Sequence, residues 1–151
     1  MAFPYRKMLC PIDFDENSMG ALDKAVELAR HFEATIFLIH AVPLVAQFGD
    51  VPFPVGLYQD QQKAALAKLR ETAEQKLRGI EHKVTVYAGD VAGSILQAAE
   101  QFQPDLIVLA THGRVGLAHF VLGSVAEAVV RRAHCPVLTV RSGGHERNPG
   151  T

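Results

Sequence analysis

The sequence predicts an α/β fold, a doubly wound sheet of five parallel strands in the order 3-2-1-4-5 with helices on both of its faces. Three observations carry the prediction. Short, almost wholly apolar runs alternate with segments of helical periodicity along the chain. Those runs lack the apolar/polar alternation of a half-exposed strand, as strands buried on both faces do. A length of 151 residues, 48% of them hydrophobic, suits one domain with a proper core and leaves little room for two.

The first run, Lys7 to Ile12 (KMLCPI), is stopped by the polar cluster DFDENS. Asp15 and Ser18 are both candidate N-caps for the helix that follows, whose Leu22, Ala25, Val26, Ala29 and Phe32 share a face. Ala34 to Val42 (ATIFLIHAV) reads as an internal strand. From Pro43 to Tyr58 the periodicity is broken by Pro43, Gly49, Pro52, Pro54 and Gly56, which predicts a long loop of the kind that serves as a lid or partner surface. A helix over Gln59 to Leu77 follows, with Leu66, Leu69, Ala73 and Leu77 as its inner stripe and Gly79 near its stop. Then come a strand at His82 to Tyr87, a turn at Gly89-Asp90, a helix near Gly93 to Phe102 and a buried strand at Asp105 to Ala110. Gly123-Ser124 opens the last helix, with Val125, Ala126, Val129 and Ala133 on one face and Arg131 and Arg132 near its end, where positive charge suits the dipole. Val137 to Arg141 is the fifth strand. Residues 1–141 are expected to form the domain, and 142–151 a flexible tail with no apolar residues to anchor it.

A net charge of -1 gives no overall field toward nucleic acid or an anionic membrane, and neither is expected as a partner. No signal peptide is read at the start and no run reaches membrane-spanning length, so a cytoplasmic location is expected. Two cysteines make neither a disulfide framework nor a zinc site. Cys10 lies late in a strand and Cys135 precedes one, which sets them toward opposite ends of a parallel sheet as separate, buried or half-buried thiols.

In the order 3-2-1-4-5 the winding reverses between strands one and four, and ligands of open α/β sheets bind at the carboxyl ends of the strands beside such a reversal. The places to look are therefore after Ile12 and after Leu109. After strand four the chain reads Ala110-Thr111-His112-Gly113, and later Gly123-Ser124-Val125. A phosphate needs backbone N–H groups aimed at it from a loop free of Cβ atoms, beside a helix N-terminus. Gly113, Gly123 and the amides of Ser124 and Val125 can supply these, although Gly123 and Ser124 would equally serve simply to start a helix. The seven histidines make no H-E-x-x-H and no paired Cys/His spacing of a metal site; His40, His112 and His119 fall near the pocket region, and a half-buried structural role is their ordinary reading. With no P-loop, no G-x-S-x-G elbow and no protein-kinase signature, a dedicated enzymatic activity is not indicated.

The spacing from Gly113 through nine residues to Gly123-Ser124 resembles the G-x2-G-x9-G-(S/T) motif of nucleotide-binding members of the universal stress protein family. The likeness extends through KMLCPIDFDENSMGAL, LIHAV and LGSVAEAVVRRAHCPVLTVR, nearly the whole chain. One position departs, Ala110 standing where the motif has its first glycine. The resemblance implies a Rossmann-like, adenine nucleotide α-hydrolase-like fold that binds ATP or a related adenine nucleotide, with or without magnesium. It sets Asp13 beside the adenosine, Ala41 and Leu109 near the base or ribose, and Gly113, Gly123, Ser124 and Val125 at the phosphates, with Ala110 beginning the motif. Asp13 would otherwise be an N-cap of the first helix. The implied function is a stress-response sensor or regulator with slow or no hydrolysis. The alternatives are a nucleotide-free dimeric interaction protein of the same fold and an enzyme of the wider fold family. A homodimer is expected through Val137, Leu138, Thr139 and Val140, because an open apolar edge strand calls for a cover.

Overall fold

A computed structural model describes residues 3–43, 55–111 and 122–141. Its elements run β1 (Lys7–Pro11), α1 (Glu16–Phe32), β2 (Thr35–Val42), α2 (Val55–Lys76), β3 (His82–Ala88), α3 (Val91–Phe102), β4 (Leu106–Ala110), α4 (Ser124–Arg132) and β5 (Val137–Val140). All neighbouring strands pair in parallel, in the order β3-β2-β1-β4-β5. The expected sheet and its point of reversal between β1 and β4 are both present.

The apolar strands serve two cores at once. Met8 and Cys10 of β1 turn to one face with Ile36 and Leu38 of β2, against Leu22 and Ala25 of α1 and Leu69 and Leu77 of α2. Leu9, Phe37, Ile39, Ile107 and Leu109 turn to the other, against Ile95 and Ala98 of α3 and Ala126 and Val129 of α4. Alternate residues of one strand thus enter opposite cores, which is why β1, β2 and β4 read as continuous apolar runs. Each Leu, Ile, Val, Phe or Met side chain among them gains roughly 1.5–3 kcal/mol on full burial.

Several boundaries depart from the sequence reading, most by a single residue. Helix α2 begins at Val55, inside the segment assigned to loop; Gly56 falls in its first turn, where a glycine costs less than in the interior. Helix α3 begins at Val91 rather than Gly93, because Asp90 caps it: the Asp90 carboxylate accepts the Gly93 amide at 2.7 Å. Asp105 stands outside β4 and instead accepts the amides of Arg6 and Lys7 at 2.9 and 3.1 Å, fixing the entry to β1. Strand β5 stops at Val140. Much of the Pro43 to Tyr58 segment, the Arg114 to Leu122 segment apart from Leu122 itself, and the tail 142–151 lie outside the described residues.

Replacing Asp90 by Ala removes the side-chain cap of α3, and about 1 kcal/mol of stability should go with it. Urea denaturation of the two forms would read this as a lowered midpoint at unchanged slope; an unmoved midpoint would contradict the cap's role.

Both cysteines are free thiols, as expected. Burial alone pushes Cys10 to about 12. Burial, followed by the Asp105 carboxylate, pushes Cys135 up. Both shifts disfavour the reactive thiolate.

Candidate functional site

The β1–α1 connection is built on carboxylates and one hydroxyl. Asp15 is the N-cap of α1, its Oδ1 accepting the Ser18 amide at 2.8 Å, so of the candidates it is Asp15 that caps. Ser18, inside the first turn and buried, donates its hydroxyl to Asp13 Oδ1 at 2.7 Å. The same Asp13 oxygen accepts the Asp15 amide at 3.1 Å, and the Asp13 amide donates back to Ser18 Oγ at 3.1 Å. Asp13 is thereby held at the end of β1 without capping the helix itself. Between the two aspartates Phe14 has φ of 66°, a left-handed conformation that costs a non-glycine residue about 1–2 kcal/mol. Burial pushes the Asp15 carboxyl up, the Ser18 amide draws it down, and the Asp13 carboxylate beside it pushes it up again. Asp15 Oδ2 is buried with no hydrogen-bond partner among the described residues.

On the other side of the reversal, β4 ends at Ala110 paired with Val140, and the Thr111 amide donates to the Val140 carbonyl at 3.0 Å. The buried Thr111 then accepts the Gly123 amide at 2.7 Å, which brings the start of α4 back over the end of β4. Gly123 is the N-cap of α4, at φ -60° and ψ 161°, and having no side chain it makes no side-chain cap. The first-turn amides of α4 therefore lack the partner that Ser, Thr or Asp would supply there.

These two features face each other across a cavity of about 340 Å³, within the ordinary range for small-molecule sites. Its wall is formed by Pro11, Ile12 and Asp13 at the end of β1, Ile39, His40 and Ala41 of β2, Leu109, Ala110 and Thr111 around the end of β4, and Gly123 to Ala126 at the start of α4. Ser18 of α1 and Val91 and Ile95 of α3 complete it. Seven of the eight residues singled out from the sequence meet on this wall: Asp13, Ala41, Leu109, Ala110, Gly123, Ser124 and Val125. The eighth, Gly113, lies outside the described residues, as do His112 and His119. The sequence reading does not include Thr111, nor Val91 and Ile95, which are spaced four apart on α3, Ile95 buried and Val91 exposed at the helix start. Among the described residues, no group of three or more His, Cys, Asp or Glu is placed to hold a metal ion.

Fold and site together define a doubly wound α/β protein with its cavity at the strand-order reversal, floored by apolar strand ends and closed by a helix N-terminus. The universal stress protein family matches residues 4–141 of the chain. Universal stress protein MJ0531 of Methanocaldococcus jannaschii is 34% identical over 143 residues, covering 91% of this chain and 82% of that protein. The chain belongs to the universal stress protein family. The structure of the universal stress protein UspA from Lactobacillus plantarum superposes with a TM-score of 0.79 at 25% identity, covering 91% of this chain and 98% of that one. A crystal structure of a universal stress protein in complex with cAMP shares the fold, with a TM-score of 0.65 at 23% identity over 91% of this chain and 97% of that one.

Proposed function

We propose that this chain binds ATP or a related adenine nucleotide in the cavity at the strand-order reversal, and acts as a stress-response sensor or regulator with slow or no hydrolysis. The observation that carries the reading is the meeting of Asp13 with the uncapped Gly123-Ser124-Val125 turn across one apolar cavity. Strand ends such as Ala41 and Leu109 offer a base an apolar surface, and the Asp13 carboxylate can accept hydrogen bonds from a sugar hydroxyl or an exocyclic amino group. The first-turn amides of α4 offer donors and a positive dipole end to phosphates. Magnesium would arrive with those phosphates, since it binds readily through phosphate oxygens and water. Denaturing freshly purified protein and identifying what is released tests the reading, an adenine nucleotide being the expected product.

Ala110, the one departure from the glycine motif, is the best support for the nucleotide-free alternative. It closes β4 in strand conformation, outside the left-handed region, and there a methyl group costs little. Ala110→Gly should therefore leave ATP affinity within about twofold and cost roughly 0.5–1 kcal/mol of stability. Parallel titrations check this, and a gain of about tenfold for the Gly form would revive the alternative.

A homodimer through Val137 to Val140 belongs to the same proposal. Strand β5 is a sheet edge on which Leu138 is 37% exposed, and Val130 of the neighbouring α4 is 45% exposed. Among the described residues no helix is long and apolar enough to cross a membrane; a cytoplasmic location is part of the proposal.

A further inference from the structure

The resemblance gives no role to His40, yet its ring holds the loop that carries Asp13. His40 follows the parity of Ile36 and Leu38 on β2, and so turns to the α1/α2 face of the sheet at the strand's carboxyl end. Its Nδ1 lies 2.8 Å from the carbonyl oxygen of Ile12. A carbonyl can only accept, so Nδ1 carries the proton and donates it. Ile12 is then held on both sides by β2, since its own amide donates to the Ile39 carbonyl at 2.9 Å. The next residue is Asp13. The one after it, Phe14, lays its ring against the His40 imidazole with centroids 4.7 Å apart, and Lys68 of α2 sets its Nζ 4.5 Å from the same ring's centroid. The left-handed turn at Phe14 thus has ring contacts on one side and the Asp13, Asp15 and Ser18 hydrogen bonds on the other.

We infer that His40 is a positioning residue for Asp13: by gripping the Ile12 carbonyl and backing the Phe14 ring, it sets where the Asp13 carboxylate meets the ligand. This rests on the adenine-nucleotide reading of the cavity for its effect on affinity, but its local part does not. Three variants separate the roles. His40→Leu fills the space with no donor. His40→Asn places an amide N–H the same number of bonds from Cβ as Nδ1, and His40→Gln places it one bond further, near Nε2.

With ATP as the probe, His40→Leu should weaken binding about tenfold. Asn should recover most of that loss and Gln little of it. In an Asp13→Ala background His40→Leu should cost nothing further, because a residue acting through Asp13 has nothing left to position. Additive losses in that cycle, or an Asn variant no better than Leu, would overturn the inference. The ligand-free protein gives a second readout. Imidazole nitrogen shifts should show Nδ1 protonated in wild type, and amide exchange at Asp13 to Asp15 should quicken in Leu and not in Asn. Wild-type protein that takes up no ATP but meets both ligand-free expectations would refute the nucleotide reading and keep the clamp. A ring protonated at Nε2 alone, or unchanged exchange in the Leu variant, would refute the clamp itself.

Discussion

Gly123→Val is expected to abolish ATP binding, with an affinity loss of about a hundredfold or more, near 3 kcal/mol. The backbone at Gly123 is extended, at φ -60° and ψ 161°, so a β-branched residue adopts it without strain. The two main-chain bonds that position the turn, from the Gly123 amide to Thr111 and from the Glu127 amide to the Gly123 carbonyl, survive the change. What changes is the space in front of the Ser124 and Val125 amides, where a branched side chain would stand in the path of a phosphate. Valine is a poor N-cap beside glycine, so a stability loss of up to about 1 kcal/mol should accompany it. Calorimetric titration together with circular dichroism separates the two effects. Unaltered affinity would remove the turn from the site.

Asp13→Ala should show the second large effect, and it should appear in two measurements at once. In the folded protein Asp13 Oδ1 accepts the Ser18 hydroxyl and the Asp15 amide, so its removal leaves two donors of the β1–α1 loop to find other partners. A cost of about 1–3 kcal/mol in stability follows. If the carboxylate also accepts from the nucleoside, ATP affinity should fall by roughly thirty- to a hundredfold at a temperature where the variant is fully folded. A stability loss with unchanged affinity would assign Asp13 to the loop alone.

The fold was legible because its strands are buried on both faces. Met8, Leu9 and Cys10 are fully buried in succession and serve two cores, and no half-exposed strand produces that run. Helix ends were less legible. Helices α1 and α3 stop at Glu33 and Gln103 in left-handed conformation, where a glycine would have been the signal. The start of α3 is displaced because Asp90, a turn residue by type beside Gly89, is also its cap.

At the site, the residues carried by the glycine motif and by the ends of β1, β2 and β4 were readable, since the strand order fixes which ends converge. Val91 and Ile95 were not, because only the packing of α3 on the sheet brings these ordinary residue types to the cavity, whereas Thr111 directly follows β4 and carries no motif of its own. The left-handed Phe14 has no sequence signature: its partners, the ring of His40 and the charge of Lys68, are brought to it only by the folded chain.

The central claim is that the cavity between Asp13 and the α4 N-terminus takes an adenine nucleotide. Calorimetric titration of wild-type protein with ATP, with and without magnesium and beside GTP, tests it most directly, with Gly123→Val as the control. The account predicts saturable binding at one site per chain, preference for ATP over GTP, and loss of the signal in Gly123→Val. No uptake of ATP at millimolar concentration by protein shown to be folded and free of bound nucleotide, or equal binding by the Gly123→Val variant, would contradict it.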